Sequence, residues 1–218
     1  MGATLTGKFE KAIQFAIECH HGQVRKGSGA PYISHPLAVA SIVLEYGGSE
    51  DQAIAALLHD ALEDCGITRE EVAERFGEGV ARIVADCSDW QGPEGAKKSP
   101  WRERKEQYIA HLPEAHADSI LVSAADKLHN ASAIAHDAFH YGPEVWKRFS
   151  AEPREILWYY HSLLAFFKNW AKANGNEARF GALVHELGQA IKEMERLASP
   201  PQKAAKAAKP KKKKALPK

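Results

Sequence analysis

Twelve residues near the middle of the chain, AIAALLHDALED (53–64), decide how the sequence folds. Residues 53–62 are apolar nearly all round, which is typical of a buried central helix. On such a helix, residues three and four apart lie on one face and form a ridge. A polar ridge is costly to bury unless something satisfies it, and a divalent metal ion would do so. The segment places four ionisable groups on this ridge: His59, Asp60, Glu63 and Asp64.

Helical periodicity continues along almost the whole chain. Apolar residues recur three and four positions apart, no segment alternates convincingly with period two, and Thr68 and Glu71 form a capping box. We therefore predict an all-α fold. Two stretches are predicted to be irregular, residues 25–36 and 90–100. Loops held by a rigid scaffold often carry functional sites. Beyond the central segment and the capping box, we predict helices at residues 9–17, 37–44, from 80, 101–112, 120–135, 154–173 and 177–197.

A break in composition near residue 198 divides the chain. We predict a single all-α domain over residues 1–198 and a disordered Lys/Ala/Pro-rich tail over residues 199–218, because such a composition cannot bury enough apolar surface to fold. Residues 203–218 hold eight lysines and no acid, whereas the rest of the chain has 21 basic and 28 acidic residues. The body is therefore acidic. For the basic tail we expect no more than weak contact with polyanions, since lysine runs attract anions without specificity.

Several classes of protein are disfavoured by composition. No apolar run approaches the roughly 20 residues that span a bilayer, and the N-terminal residues lack the apolar stretch of a secretory signal. Three cysteines in 218 residues, without a C-x-x-C pair, argue against a disulfide framework and a thiolate zinc site. We expect a cytoplasmic protein with no membrane partner and no specific nucleic-acid partner.

An adjacent His-Asp pair makes a metal site only when further donors converge on it. His59 and Asp60 supply one imidazole and one carboxylate. His35 closes an irregular loop just before a helix, and Asp126 lies among small residues of another predicted helix. Two imidazoles and two carboxylates suit Mn, Fe, Zn or Ni better than Ca. A second pair of this kind lacks a nearby carboxylate ridge, and we place it at the surface: His136-Asp137.

Four motifs carry a resemblance to a known family: HHGQVRKGSGAPYISHPLAVA (20–40), ALLHDALED (56–64), RFGEGVARIV (75–84) and AADKLHNA (124–131). They resemble the HD-domain hydrolases, and more narrowly the (p)ppGpp hydrolase module of the RelA/SpoT homologues. They occur in the family's order, and the resemblance covers about residues 8–165. The chain is far shorter than the long homologues, which add synthetase and regulatory regions, so it is similar to a small alarmone hydrolase.

The resemblance implies a fold, a reaction and a set of site residues. The fold is the helical HD-domain metal-dependent phosphohydrolase. The reaction removes pyrophosphate from the 3′ position of ppGpp or pppGpp and leaves GDP or GTP, usually with one Mn²⁺. Glu63 and Asp64 match the family's acidic pair, which orients and deprotonates the attacking water. The implied metal ligands are the same four residues: His35, His59, Asp60 and Asp126.

Contacts to the nucleotide are also implied. Arg25 and Lys26 match the family's basic pair, where a guanidinium can stack on a purine and an ammonium suits phosphate. Asn130 matches a position near the sugar and phosphates, and Tyr32 is suited to pack against the ribose or the base. Because the body is acidic, local cations must attract so anionic a substrate. Further candidates cluster at the second irregular stretch and the helix after it: Lys97, Lys98, Arg102, Arg104 and Lys105.

Because of three departures from the long homologues, the sequence does not decide which nucleotide base the substrate carries. The loop RKGSGAPY is one residue longer than their RKSGEPY, Ser132 stands where relatives often carry Arg, and the stretch after Asp86 differs. Guanosine alarmones and their adenosine analogues, (p)ppApp, are therefore both candidate substrates. Two other functions stay open: a different HD-domain nucleotide phosphohydrolase, such as a nucleotidase or an NADPH phosphatase, and a non-catalytic nucleotide-binding protein.

Overall fold

The computed structural model describes residues 3–89, 98–176 and 178–198. Within these ranges the chain is helical, and its extended pairing is limited to one isolated antiparallel bridge between Val24 and Pro31. The predicted all-α fold is confirmed. A 3₁₀-helix, Gly142–Arg148, follows the eighth α-helix. The α-helices are α1 (Gly7–Cys19), α2 (Ser34–Glu45), α3 (Glu50–Leu58), α4 (Ala61–Asp64), α5 (Arg69–Phe76), α6 (Glu78–Cys87), α7 (Trp101–His111), α8 (Ala117–Tyr141), α9 (Pro153–Ala173) and α10 (Arg179–Ala198).

Two predictions fall on residues that the structure does not describe. The basic tail, 199–218, is one, and Lys97 with the stretch 90–97 is the other, so both stay predictions.

None of the described helices is long and apolar enough to cross a bilayer.

Helices α3 and α8 form the centre of the molecule. Every residue from Ala53 to Leu58 is fully buried, as the all-round apolar pattern predicts. Helix α8 packs against α2, α3, α6 and α10. Its inward face includes the buried small residues Ala124, Ala125 and Ala131, and small side chains allow a short distance between helix axes. Polar groups on this face are therefore brought close to α2 and α3.

The predicted continuous helix through residues 53–64 is wrong, because the helix breaks at the His-Asp pair. Helix α3 ends at Leu58, and α4 begins again at Ala61. Between them Asp60 adopts φ −95° and ψ −4°, in the sparsely populated bridge region where many active-site residues lie. His59 and Asp60 therefore stand at a junction between two helices rather than within one.

A tight turn sets α2 beside α3. Gly47 adopts φ +84° just after α2, a conformation that glycine reaches without steric cost. Ser49 and Gln52 then form a capping box at the start of α3, with bonds of 2.8 and 3.2 Å. The two helices pack closely, which brings the start of α2 near the end of α3. The capping box predicted from Thr68 and Glu71 is confirmed at α5.

Helix α8 is longer than the predicted 120–135. It begins at Ala117 and continues to Tyr141, because the alanine-rich sequence after residue 131 contains no glycine or proline to stop it. It ends at Gly142, which adopts φ +68°, a common way to terminate a helix. The extension carries His136 and Asp137 along the same helix as Asp126.

Helix α10 stabilises the fold by covering α8, and this contact can be tested by mutation. Leu187 of α10 is fully buried, so Leu187→Ala should lower the free energy of unfolding by about 2–5 kcal/mol. Leu5→Ala is the matched control, because Leu5 is 43% exposed, and it should cost about 0.5 kcal/mol or less. Urea denaturation of both variants measures the difference. Equal losses would mean that α10 contributes no more than a surface residue does.

Candidate active site

Four side chains converge where α2, the α3–α4 junction and α8 meet. His35 and His59 face each other through their Nε2 atoms at 3.2 Å. Asp126 Oδ1 lies 3.2 Å from His35 Nε2 and 3.5 Å from His59 Nε2. Asp60 Oδ2 lies 3.5 Å and 3.2 Å from the same two atoms. The structure thus brings together all four predicted ligands, and we call them the His-Asp cluster.

The spacing of His35, His59 and Asp126 fits a divalent metal ion, because their ligand atoms all lie within 4.8 Å of one another, and Asp60 lies beside the two imidazoles. Nitrogen and oxygen ligands lie about 2.1 Å from a first-row ion. Around such an ion, neighbouring ligand atoms are about 3.0 Å apart in octahedral and about 3.4 Å apart in tetrahedral geometry, which follows from that bond length. The five distances given above are 3.2–3.5 Å. His35, His59 and Asp126 are all buried, so a bound ion would be shielded from bulk water on that side.

Hydrogen bonds from outside the His-Asp cluster fix its side chains. His59 Nδ1 donates to the carbonyl of Ala56 at 2.8 Å, which leaves Nε2 as the nitrogen that faces the cluster. Tyr32 donates to Asp60 Oδ2 at 2.6 Å, and Asn130 donates to Asp126 Oδ1 at 2.6 Å. Outer partners of this kind hold ligands in orientation before a metal arrives.

The two carboxylates of the His-Asp cluster carry negative charge. Burial opposes ionisation of Asp126, but Lys127 and the two imidazoles outweigh it and hold the pKa of Asp126 well below its usual range. Burial likewise opposes ionisation of Asp60, yet His59 and then His35 lower its pKa. Both carboxylates are therefore ionised at neutral pH, and a cation between them would be electrostatically favoured.

The acidic pair lies on α4, one turn beyond the junction. Glu63 Oε1 accepts from the backbone N–H of Asp89 at 2.7 Å and from the Ser88 hydroxyl at 3.2 Å. Lys98 Nζ lies 3.3 Å from Glu63 Oε2 and 4.0 Å from Asp64 Oδ1. Burial raises the pKa of both carboxyls, helped by Asp89 at Glu63 and by Asp60 at Asp64. A raised pKa makes each carboxylate a stronger proton acceptor.

A cavity of about 910 Å³ opens beside the His-Asp cluster. Its volume is typical of small-molecule sites, which occupy roughly 300–1,000 Å³. Six predicted site residues line it: Arg25, Lys26, Tyr32, Asp64, Arg104 and Asn130. Three lining residues bond directly to the cluster: Tyr32 to Asp60, His129 to His35 (2.8 Å) and Asn130 to Asp126. These three residues therefore form the part of the cavity wall that lies against the cluster.

The predicted cations are placed differently from one another. Arg25 donates to Asn130 Oδ1 at 3.0 Å and lies over the Tyr32 ring at 5.8 Å. Arg104 lines the cavity, but its guanidinium also pairs with Asp89 at 2.6 Å. Lys105 pairs with the same carboxylate and is not among the residues that line the cavity.

Arg102 is not brought to the cavity. Its guanidinium binds Glu106 and Glu155 and covers the Trp158 ring at 3.2 Å. These contacts hold it on the other side of α7, two residues before Arg104, so the structure gives no support to its predicted contact with substrate.

The placement of His136-Asp137 at the surface is wrong in part. Both residues line the cavity: His136 is exposed there, whereas Asp137 is only 19% exposed and pairs with Arg148 at 2.9 Å. The reason is the length of α8, which continues past the predicted end and carries this pair along the cavity wall. Asp137 Oδ2 also lies within clashing distance of the position that a Cβ on Gly27 would take, so the loop approaches α8 closely.

Sequence reasoning missed several residues of the site. His129 could have been found, because it follows Asp126 by three positions and shares its helix face. Lys127, which contacts Asp126 Oδ2 at 2.5 Å, directly follows a predicted ligand. Arg148 has no local signal, since it comes from the 3₁₀-helix and reaches the cavity only through the fold.

Comparison with known proteins agrees with this geometry. The family model described as "HD domain" matches residues 12–156. A guanosine-3′,5′-bis(diphosphate) 3′-pyrophosphohydrolase, MESH1 of Danio rerio, is 38% identical over 149 residues, which cover 67% of this chain and 77% of the relative. MESH1 of Xenopus tropicalis is 40% identical over 139 residues, 62% of this chain and 72% of the relative.

A solved structure shares the fold. It belongs to a metazoan orthologue of SpoT that hydrolyses ppGpp, and it superposes with a TM-score of 0.67 at 24% identity, over 90% of this chain and 99% of the other. The chain belongs to the HD-domain family and, within it, to the guanosine-3′,5′-bis(diphosphate) 3′-pyrophosphohydrolases.

Removing one carboxylate of the His-Asp cluster should weaken metal binding. Asp126→Ala deletes an anionic donor that lies 3.2–3.5 Å from both imidazoles. Loss of an outer partner alone typically costs about 10–100-fold in metal affinity, so we expect loss of this donor to weaken divalent ion binding by at least about 100-fold. Equilibrium dialysis followed by metal analysis measures it.

Asp137→Ala is the matched control, because Asp137 lies on the same helix and lines the cavity without contacting the cluster. It should retain the affinity of the unsubstituted protein. Equal metal content in Asp126→Ala and Asp137→Ala would remove Asp126 from the metal site.

Proposed function

We propose that this chain hydrolyses (p)ppGpp at the 3′ position. Water attacks the phosphorus that carries the 3′ oxygen, the bond to that oxygen breaks, and GDP or GTP leaves together with pyrophosphate. One observation carries the proposal: three cavity-lining side chains hydrogen-bond directly to the His-Asp cluster, so a nucleotide in the cavity lies against it. The names of relatives at 38–40% identity support the same reaction.

We assign the His-Asp cluster to one Mn²⁺ ion held by His35, His59, Asp60 and Asp126. Two imidazoles and two carboxylates are a donor set that suits a borderline first-row ion, and the spacing of His35, His59 and Asp126 fits one. When bound, such an ion supplies Lewis acidity to a phosphoryl oxygen and makes water easier to deprotonate. Helix α8 and the outer hydrogen bonds supply the orientation of the ligands.

We assign proton transfer to the acidic pair. Asp64 lines the cavity, and its raised pKa suits it to take the proton from the attacking water. Glu63 is held by the backbone of Asp89 and by Lys98, so it is suited to orient water beside Asp64. Both carboxylates thus take part, with Asp64 as the group that faces the substrate.

We assign recognition of the nucleotide to the cations and polar groups of the cavity. Arg25 is oriented by Asn130 and lies over Tyr32, so it can stack on a base or bind a phosphate. Lys26 lies beside it on the same loop, and Arg104 lines the cavity from α7. Lys97 stays a prediction.

The remaining assignments concern cell biology. We place the protein in the cytoplasm, with a small nucleotide as its partner and neither a membrane nor a specific nucleic acid. Cys19, Cys65 and Cys87 are all free thiols, which supports a reducing compartment. Residues 203–218 are proposed to make only weak contact with polyanions.

A substrate panel tests the proposed function. The purified chain with Mn²⁺ is incubated with ppGpp, pppGpp, their adenosine analogues, NADPH and nucleoside monophosphates, and the products are separated by ion-exchange chromatography. We expect pyrophosphate release from ppGpp and pppGpp to exceed phosphate release from the others. Turnover of NADPH or monophosphates alone would assign a different phosphohydrolase activity. Binding of ppGpp without turnover would assign a non-catalytic role.

Substituting the acidic pair should separate proton transfer from metal binding. Asp64→Asn keeps the shape of the side chain but removes the proton acceptor, so kcat for ppGpp should fall by about two to four orders of magnitude. Glu63→Gln should also lower kcat while its bond from Asp89 persists. The double variant should be less than multiplicatively worse, because the two residues act as a unit.

Metal content is the control for these variants, since neither residue belongs to the His-Asp cluster. Both single variants should bind Mn²⁺ as the unsubstituted chain does. Loss of the ion from Asp64→Asn would make Asp64 a ligand, and normal turnover in both variants would make the pair structural.

Two arginines offer a matched test of the cavity. Arg25 lines it, whereas Arg102 is paired with Glu106 and Glu155 outside it. Hydrogen bonds to charged groups contribute about 1.5–3 kcal/mol, so Arg25→Ala should raise KM for ppGpp by about 10–100-fold. Arg102→Ala should change KM less than about twofold. Steady-state kinetics decide between them, and the reverse order would place the nucleotide elsewhere.

A further inference from the structure

His129 stands between the His-Asp cluster and the cavity. It follows Asp126 by three residues on α8, and its Nδ1 lies 2.8 Å from Nδ1 of His35. It also lines the cavity, and its Nε2 has no hydrogen-bond partner among the residues that the structure describes. The ring of His129 therefore contacts a proposed metal ligand on one side and faces the cavity on the other.

The two proposed imidazole ligands are oriented by different groups. His59 donates from Nδ1 to the carbonyl of Ala56 at 2.8 Å, which is a common outer partner for a ligating histidine. A carbonyl only accepts, so the chain of hydrogen bonds ends there. His35 instead contacts the imidazole of His129. A neutral imidazole accepts through one nitrogen and donates through the other. The chain of hydrogen bonds from His35 can therefore continue through the second nitrogen of His129.

The direction of the bond between His35 and His129 follows from ligation. To bind an ion through Nε2, His35 must carry its proton on Nδ1, and it then donates to Nδ1 of His129. His129 must accept there, which places its own proton on Nε2. That N–H belongs to a ring that lines the cavity.

We propose that His129 is a positioning residue that links metal binding to nucleotide binding. Its Nδ1 holds His35 in the orientation and tautomer that ligation requires. Its Nε2–H donates to a phosphate oxygen of the nucleotide. The second half rests on the proposed function, because it needs a phosphorylated substrate in the cavity. The first half concerns the metal alone.

Two isosteric substitutions separate the two halves. In His129→Asn the amide reaches the place of Nδ1 and can accept from His35, but nothing replaces Nε2. In His129→Gln the amide reaches the place of Nε2 and can donate there, but the acceptor for His35 is lost. His129→Ala removes both. His136→Ala is the control for metal binding, since His136 is an exposed residue of α8 that lies outside the cluster.

Metal affinity is measured by titration with Mn²⁺ in the absence of nucleotide. We expect His129→Asn and His136→Ala to stay within about threefold of the unsubstituted protein. His129→Gln and His129→Ala should bind the ion about 10–100-fold more weakly, the usual effect of losing an outer partner. Unchanged affinity in both Gln and Ala variants would overturn the positioning role.

Nucleotide binding is measured as KM for ppGpp at saturating Mn²⁺. His129→Asn should raise KM about tenfold or more, because a donor to a charged phosphate is lost, whereas His129→Gln should stay near the unsubstituted value. Equal KM values in the two variants would overturn the donor role. If the unsubstituted chain does not hydrolyse ppGpp, the proposed function fails, but the titration with Mn²⁺ still decides the positioning role.

Discussion

Charge buried inside a helical core is the constraint on which the rest of this structure depends. Asp126 is only 6% exposed, and an ionised carboxylate away from water is costly unless it is paired and hydrogen-bonded. One of its oxygens accepts a hydrogen bond from Lys127. The other accepts a hydrogen bond from Asn130 and faces the two imidazoles. Lys127 and Asn130 lie on α8 and move with Asp126, but sliding or rotating α8 would separate Asp126 from the two imidazoles. The contacts with the imidazoles therefore fix the register of the central helix against α2 and the end of α3.

The break between α3 and α4 follows from the same constraint. Adjacent residues of a regular helix do not face each other, so a continuous helix would point His59 and Asp60 in different directions. With Asp60 in the bridge region, the two side chains meet, and His59 Nε2 lies 3.2 Å from Asp60 Oδ2. The break costs regular backbone hydrogen bonding and gains a second carboxylate for the cluster.

Local residue patterns were enough to predict some of this architecture. The all-α fold and the buried segment 53–58 could be predicted, because they depend on periodicity. The convergence of His35 and Asp126 on the His-Asp pair was implied by the resemblance of the four motifs to a family, since no local spacing joins these residues. The break at Asp60 could not, since neither glycine nor proline stands there and the flanking leucines and alanines are good helix formers. Nor could the sequence choose between Arg102 and Arg104. Two residues apart on α7 they point to different sides, and Trp158, which covers one of them, lies far along the chain.

The charges of the cavity show what an anionic ligand meets there. Of the four described arginines and lysines that line it, two already have carboxylate partners: Arg104 with Asp89, and Arg148 with Asp137. Arg25 is held by the neutral amide of Asn130 instead, and a phosphate can replace that amide without separating an ion pair. Lys26, beside it, forms no ion pair with the described residues. The protein body is acidic, so long-range attraction does not deliver the nucleotide. In the proposed function its phosphates are instead selected at short range, by these two loop cations, which form no ion pair with the described residues, and by the metal ion assigned to the His-Asp cluster.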